Sequence, residues 1–416
     1  MGKTLIEKII ARASGKGEVK AGEIVFASPY RILSHDNSAA ISKIFKEMGA
    51  ERVWDPERIF IALDHAVPPS DEKKALNHKL IREFVRAQGI KHFYDCGVGI
   101  CHQVLPEYGH VIPGSLILGS DSHTTTHGAF AAAGIAIGRT ETASVWALGK
   151  TWLKVPQTIK IILKGKLKKG VYAKDVILYL IGQIGADGAN YKSVEFAGEM
   201  VEGMSVSERM TISNLSAEMG AKAAIFPFDE TTRKWLEPRV QQPYEPLYAD
   251  EDAFYEKILE YNLSDLEPQV ACPHKVDNVH ALKELGKVKI DVALLGTCTN
   301  GRLDDLKIAS EIVAGKKIAP GVRLLVYPAS QEVLKEALKL GYIEKLVEAG
   351  AEIAIPSCGP CLGAYGGVLA PGEKCISSAN RNFKGRMGCK EDTEIYLASP
   401  ATVAASALAG FITAEV

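Results

Sequence analysis

Three cysteines carry the first chemical signal in this chain. Cys358 and Cys361 stand three residues apart in Pro356-Ser357-Cys358-Gly359-Pro360-Cys361-Leu362-Gly363, and Cys298, 60 residues earlier, lies in Gly296-Thr297-Cys298-Thr299-Asn300-Gly301. Each turn follows a short apolar run, so strand ends would present all three sulfurs to one crevice. Thiolates are preferred ligands of soft metals and iron–sulfur clusters. On the residues alone three readings stay open: a redox-active thiol pair, a zinc site, and a cluster with one open coordination position. A redox pair usually opens a helix in a small thioredoxin-like domain, whereas this one sits late in a long chain. A structural zinc takes four protein ligands, and Cys272, Cys375 and Cys389 form no second pair.

A second set of residues suits proton transfer. Asp64-His65 ends one apolar run, His102 follows Gly97-Val98-Gly99-Ile100-Cys101, and Asp121-Ser122-His123 ends another run. An aspartate beside a histidine orients the imidazole and raises its basicity. His123 and His127 are four apart, but the glutamate of a zinc-protease helix is missing. A third set is Ser377-Ser378-Ala379-Asn380-Arg381-Asn382-Phe383-Lys384-Gly385-Arg386. Its Arg381 and Arg386 could clamp carboxylates bidentately, or the loop could simply be solvated. Asn214 and Glu218, four apart, would share one helical face.

The elements that must position these groups alternate. Arg58–Leu63, Lys91–Asp95 and Ser115–Gly119 read as strands, with a helix over about 71–88 between the first two. A new strand, Thr158–Leu163, and a helix, Ala173–Ile184, follow a boundary near Pro156. A third segment opens with the strand Lys289–Leu295 and continues with Val322–Tyr327 and a helix over about 330–339. Strand, polar loop and helix in repetition predict an α/β fold with mostly parallel sheets. The expected domains are 1–155, 156–272 and 273–416. In such sheets ligands bind beyond the carboxyl ends of the strands, where the polar clusters fall.

Size and composition bound the partners. The chain has 416 residues, enough for several cores. Its net charge of -1 gives no electrostatic reason for nucleic acid or an anionic membrane as partner. No apolar run reaches the roughly 20 residues that span a bilayer, and the first residues lack the apolar core of a signal peptide. The eight cysteines therefore read as reduced thiols or ligands in a cytoplasmic protein.

Taken together, Asp64-His65, His102-Gln103, Asp121 to Thr124, Asn214 to Gly220, Thr297 to Asn300, Ser357 to Gly363 and Asn380 to Arg386, in this order, resemble the aconitase family. The likeness runs from Lys3 to Gly410 and is to the large subunits of the family's two-chain members. It implies a hydro-lyase with three α/β domains around a central [4Fe-4S] cluster held by Cys298, Cys358 and Cys361. The fourth, labile iron would bind substrate. By the same resemblance Asp64 and His65 protonate the departing hydroxyl, and Asp121 and His123 form a second acid–base pair. His102 would pair with Glu218, while Asn214 helps position the iron-bound oxygen. Asn300 and Asn380 donate hydrogen bonds near the cluster. Arg381 and Arg386 hold substrate carboxylates, with His35 and Ser122 as further substrate contacts. The implied substrate is a small hydroxy di- or tricarboxylate: 3-isopropylmalate, in leucine biosynthesis, with homocitrate or homoaconitate, or dimethylmalate, as alternatives. Asp36-Asn37-Ser38 and Thr124-Thr125-Thr126 depart from the family's usual segments beside the site. The family's fourth, mobile domain, with its serine base and a substrate-reading arginine, has no counterpart before Val416. The resemblance therefore implies a separate small subunit as partner.

Overall fold

The computed structural model describes residues 2–363 and 365–415. Met1, which begins the first expected domain, Val416, which ends the last, and Ala364, in the small-residue run after Cys361, lie outside the described residues. The described residues form a two-stranded antiparallel sheet, Ile24–Ala27 with Thr151–Lys154, and three larger sheets. The first has five parallel strands in the order His92–Tyr94, Ile59–Ala62, Arg31–Ser34, Leu116–Gly119 and Ala133–Ala136. The second has four parallel strands, Ala223–Ile225, Ser193–Ala197, Thr158–Lys164 and Lys257–Asn262. The third has seven, in the order Val279–Ala281, Gln269–Ala271, Glu394–Leu397, Lys374–Ser377, Val292–Gly296, Arg323–Tyr327 and Glu352–Ile353. Its last five are parallel, and the two at the other edge are antiparallel.

The strands are short and apolar because both faces are covered. Along Ile59–Ala62, Ile59 and Ile61 enter one core with Phe45, Phe84 and Trp146. Phe60 and Ala62 enter the opposite core with Leu33, Ile117 and Phe130. The strict alternation is the period of two of a strand. Along Val292–Gly296, Val292 and Leu294 face one core, and Ala293 and Leu295 the other. The first of these cores also takes Ile161, Val176, Leu180 and Phe196, so the second and third sheets are joined by one continuous apolar interior. Strand Gln269–Ala271 is hydrogen-bonded into the third sheet. That strand lies within residues 156–272, the expected second domain, so one strand of that span pairs with the third sheet.

Most of the expected elements recur within a few residues. The helices are Glu72–Gln88, Ala173–Ile184 and Gln331–Lys339, and the third sheet's first parallel strand begins at Val292 rather than Lys289. Helix ends are set by ordinary caps. Asp71 accepts from the Lys74 amide and Ser330 from the Val333 amide, satisfying donors that the first turn leaves open.

Candidate active site

The carboxyl ends of parallel strands converge on the three cysteines. Cys298 follows Val292–Gly296, Cys358 and Cys361 follow Glu352–Ile353, and Asn380 follows Lys374–Ser377. The turn into Cys298 is tight. Gly296 has φ 137°, and a Cβ there would lie 2.2 Å from the Tyr327 carbonyl oxygen. Thr297 follows in the left-handed region at φ 67°, a conformation costly for a β-branched residue and typical of functional turns. Tyr327 also packs on Gly359, where a Cβ would stand 2.7 Å from its ring. One residue therefore seats both cysteine turns, the first with its carbonyl and the second with its ring.

All three sulfurs are buried. Cys298 Sγ accepts hydrogen bonds from the side-chain amides of Asn214 at 3.3 Å and Asn380 at 3.2 Å. Cys361 donates to Asn380 Oδ1 at 3.3 Å. Burial pushes the Cys298 thiol up to about 12. A hydrogen bond shared with Cys358 holds Cys361 down at about 5, helped against burial by the charges of Arg386, His123 and Arg381; Cys358, the other partner, is raised by that bond and by burial. Buried sulfurs met by amide donors and ringed by cations suit an anionic thiolate-bound group. Among the described residues the buried Nε of Arg386 has no hydrogen-bond partner, which also suits an anion beside it.

The acid–base groups gather at the ends of the first sheet. Asp64, fully buried, accepts from His65 Nδ1 at 2.6 Å with one oxygen and from the Cys101 amide at 2.7 Å with the other. Its backbone oxygen accepts from the Cys358 amide at 2.8 Å, which pins the cysteine turn to the acid–base pair. Burial alone would pull His65 down. The charge and hydrogen bond of Asp64, with Asp121 and Asp36, outweigh it and hold the imidazolium up at about 10. His35 stacks on His65 with ring centroids 3.9 Å apart. Burial, then the His65 charge, pushes it down to about 4. One imidazole is thus charged and its stacked neighbour neutral, an arrangement that separates proton donor from acceptor.

Asp121 joins the two halves. Its Oδ1 accepts from His102 Nε2 at 2.6 Å and from the His123 amide at 2.8 Å, and His65 Nε2 lies 3.7 Å from its Oδ2. The expected pairing of His102 with Glu218 does not occur. His102 points to Asp121, and Glu218 Oε1 instead accepts from His123 Nε2 at 2.8 Å and from Arg381 Nε at 2.7 Å. The cause is local. The tight turn Ser122–Phe130 swings His123 towards the helix end that carries Glu218. Asn300 also differs from expectation, donating to Asp305 at 2.9 Å and Thr211 at 3.3 Å rather than to a sulfur. Ser122 is exposed on its turn. Asn214, besides its sulfur bond, donates to Thr126 Oγ1 at 2.9 Å and accepts from Thr299 Oγ1 at 2.9 Å.

Three contributors were not singled out from the sequence. Lys174 is buried and donates to the Ser378 and Ala379 carbonyls at 2.8 and 2.5 Å, fixing the peptides just before Asn380. Burial pushes its ammonium down to about 7. Arg302, also buried, donates to the Cys298 carbonyl at 3.0 Å and to Ser207 at 2.9 Å. Asp36 accepts from the amides of Asp64, His65 and Ala66 at 2.9, 2.7 and 3.1 Å and from His78 Nε2 at 2.6 Å. The only hint of Asp36 was its place in an unusual segment. Lysine and arginine beside helix starts carry no signal that separates them from solvated residues.

The Asp36–His78 pair predicts a pH dependence. Burial opposes the His78 charge, but the Asp36 hydrogen bond raises it from 6.5 to about 9. A histidine raised in the folded state stabilises it fully below 6.5, and that contribution is lost as pH rises through about 9. The melting temperature of the natural protein should therefore fall more steeply across that window than that of His78→Asn. Parallel slopes would remove His78 from the account.

A profile of the aconitase family (aconitate hydratase) matches residues 7–287 and 280–410. The chain is 52% identical over 414 residues to a protein named 3-isopropylmalate dehydratase large subunit 1 from Methanopyrus kandleri, covering 99% of each. It is 50% identical to a probable 3-isopropylmalate dehydratase large subunit from Methanothermobacter thermautotrophicus, again over 99% of each. A probable methanogen homoaconitase large subunit from Methanosarcina mazei is 52% identical over 382 residues, 92% of this chain and 97% of that one.

Proposed function

The chain belongs to the aconitase family, and from that premise we propose that it is the cluster-bearing large subunit of a hydro-lyase. It interconverts 2- and 3-isopropylmalate by dehydration and rehydration, a step of leucine biosynthesis. The observation that carries the reading is the junction of buried Cys358 with the Asp64–His65 pair through one backbone hydrogen bond. A cluster site and a proton donor are thereby held in fixed register. The names of the relatives support the substrate.

Cys298, Cys358 and Cys361 would hold the [4Fe-4S] cluster. When bound, it supplies a Lewis-acidic iron without a protein ligand, which lowers the barrier to loss of hydroxide. The chain's own residues do the rest. Asp64 holds Nδ1 of His65, so that Nε2 carries the transferable proton, and the charged imidazolium is the general acid for the leaving hydroxyl. The Cys101 amide stops the Asp64 carboxylate from turning away. Glu218 takes the Nε of Arg381 and orients the guanidinium, whose terminal amino groups are then presented to a substrate carboxylate with Arg386 beside them. His102 and Asp121 keep the neighbouring hydrogen-bond network closed. Asn214 and Asn380 donate to Cys298 and stabilise its thiolate.

The reading includes a small-subunit partner carrying the proton-abstracting base, as the relatives' names imply a second subunit. It also includes work in the cytoplasm; among the described residues no helix is long and apolar enough to cross a membrane. Homoaconitase is the second reading, favoured by the equal identity of the Methanosarcina mazei relative. Iron and acid-labile sulfide analysis of anaerobically purified protein tests the cluster. Sulfide nearly equal to iron is expected; zinc without sulfide would overturn the proposal.

A further inference from the structure

Outside the site just described, one cysteine stands in a built setting. Cys96, half-buried after the strand His92–Tyr94, faces His78 Nδ1 at 3.4 Å. The other nitrogen of His78 is held by Asp36 at 2.6 Å, and the imidazole is 1% exposed. Arg82, itself fixed by two 2.7 Å bonds to Asp95, brings a guanidinium nitrogen to 3.8 Å from the sulfur. A thiol, a buried imidazole and an orienting carboxylate in series, beside a second cation, is the arrangement that activates a sulfur nucleophile. The carboxylate at the far end is Asp36, which also clamps the amides of Asp64, His65 and Ala66.

We propose that Cys96 is a thiol-modification site, reactive towards peroxides and soft electrophiles, and coupled through His78 and Asp36 to the peptide that carries His65. With a peroxide, the thiolate attacks one oxygen. The S–O bond forms as the O–O bond breaks, and the leaving hydroxide takes the proton of the His78 imidazolium to become water. The sulfur is oxidised by two electrons and the peroxide reduced by two, leaving a sulfenic acid at Cys96 and a neutral His78. The loss of charge on His78 weakens its bond to Asp36, and with it the clamp on His65. The sulfenic acid is open to attack by a small thiol, which would make the modification reversible.

The first test does not depend on the reaction assigned to the protein. Cluster-loaded protein is treated anaerobically with iodoacetamide, and the labelling rate of each cysteine is read by mass spectrometry of its peptide. Cys96 should react at least about tenfold faster than Cys272 and Cys389, which are also half-buried but lack an imidazole–carboxylate pair. His78→Asn should bring it down to their rate. The order in the natural protein tests the claim even if the variant folds poorly. Equal rates for the three cysteines, or an unchanged rate in folded His78→Asn, would overturn it. The coupling to His65 rests on the acid role proposed above and has its own readout. Alkylation takes no proton from His78, but the added group must displace the imidazole ring 3.4 Å from the sulfur and so its bond to Asp36. Alkylated enzyme, reconstituted with the small subunit, should therefore lose turnover while identically treated Cys96→Ser enzyme keeps it. Equal loss in both would overturn the coupling and leave the reactivity result standing.

Discussion

Cys361→Ser is expected to abolish the cluster and, with it, all dehydratase activity. Cys361 is buried, its thiol held below the usual range by the hydrogen bond shared with Cys358 and by the nearby charges of Arg386, His123 and Arg381. Serine preserves the shape but presents a hydroxyl, which keeps its proton at neutral pH and is a far poorer ligand for iron–sulfur iron than a thiolate. On the proposed reading Cys298, Cys358 and Cys361 are the ligands, so losing one leaves two for a group that needs three from the protein. Iron and sulfide should fall to background after anaerobic loading, and the broad visible absorbance should vanish. The apo fold should survive, because the core shared by the second and third sheets rests on residues such as Ile161, Val176, Phe196 and Leu294. Retention of iron and sulfide at the natural ratio would exclude Cys361 as a ligand.

His65→Ala is expected to separate cluster from chemistry. The imidazole lies against Asp64 and is held up at about 10, so it carries its proton throughout the neutral range. Removing a positioned general acid costs about 10²–10⁴-fold in rate. Cys358 meets Asp64 through a backbone oxygen, which the substitution leaves in place. The variant should therefore load iron and sulfide normally and lose turnover by at least about a hundredfold. The sign of the pH effect follows. The acid works while protonated, so the natural enzyme should lose this contribution only as pH rises towards 10, and the variant should show no such limb. Near-normal turnover of His65→Ala would move the acid role to another residue.

Much of this architecture was legible because strand and site coincide in the chain. Short apolar runs such as Ile59–Ala62 and Leu116–Gly119 are buried on every residue, and the first polar residues after them must lie at the sheet's edge, where Asp64 and Asp121 are. The three cysteines were legible for the same reason. What spacing does not contain is rotation within a turn. His102 and His123 both approach the Asp121 carboxylate from different elements, and only the path of Ser122–Phe130 decides which reaches Glu218. The orientation of Asn300 depends likewise on Asp305 at the start of the next helix. Lys174 and Arg302 were hidden because long cationic side chains are usually solvated. Here they are buried with their charge spent on backbone oxygens, which only the three-dimensional packing reveals. Spacing also does not show that Gln269–Ala271, though sequential with the second sheet, pairs across to Glu394–Leu397.

The central claim is tested most directly by loading the chain anaerobically with iron and sulfide, combining it with its small subunit, and following 2-isopropylmalate. The account predicts conversion to 3-isopropylmalate by the pair. Turnover of homocitrate or homoaconitate with none of isopropylmalate would contradict it.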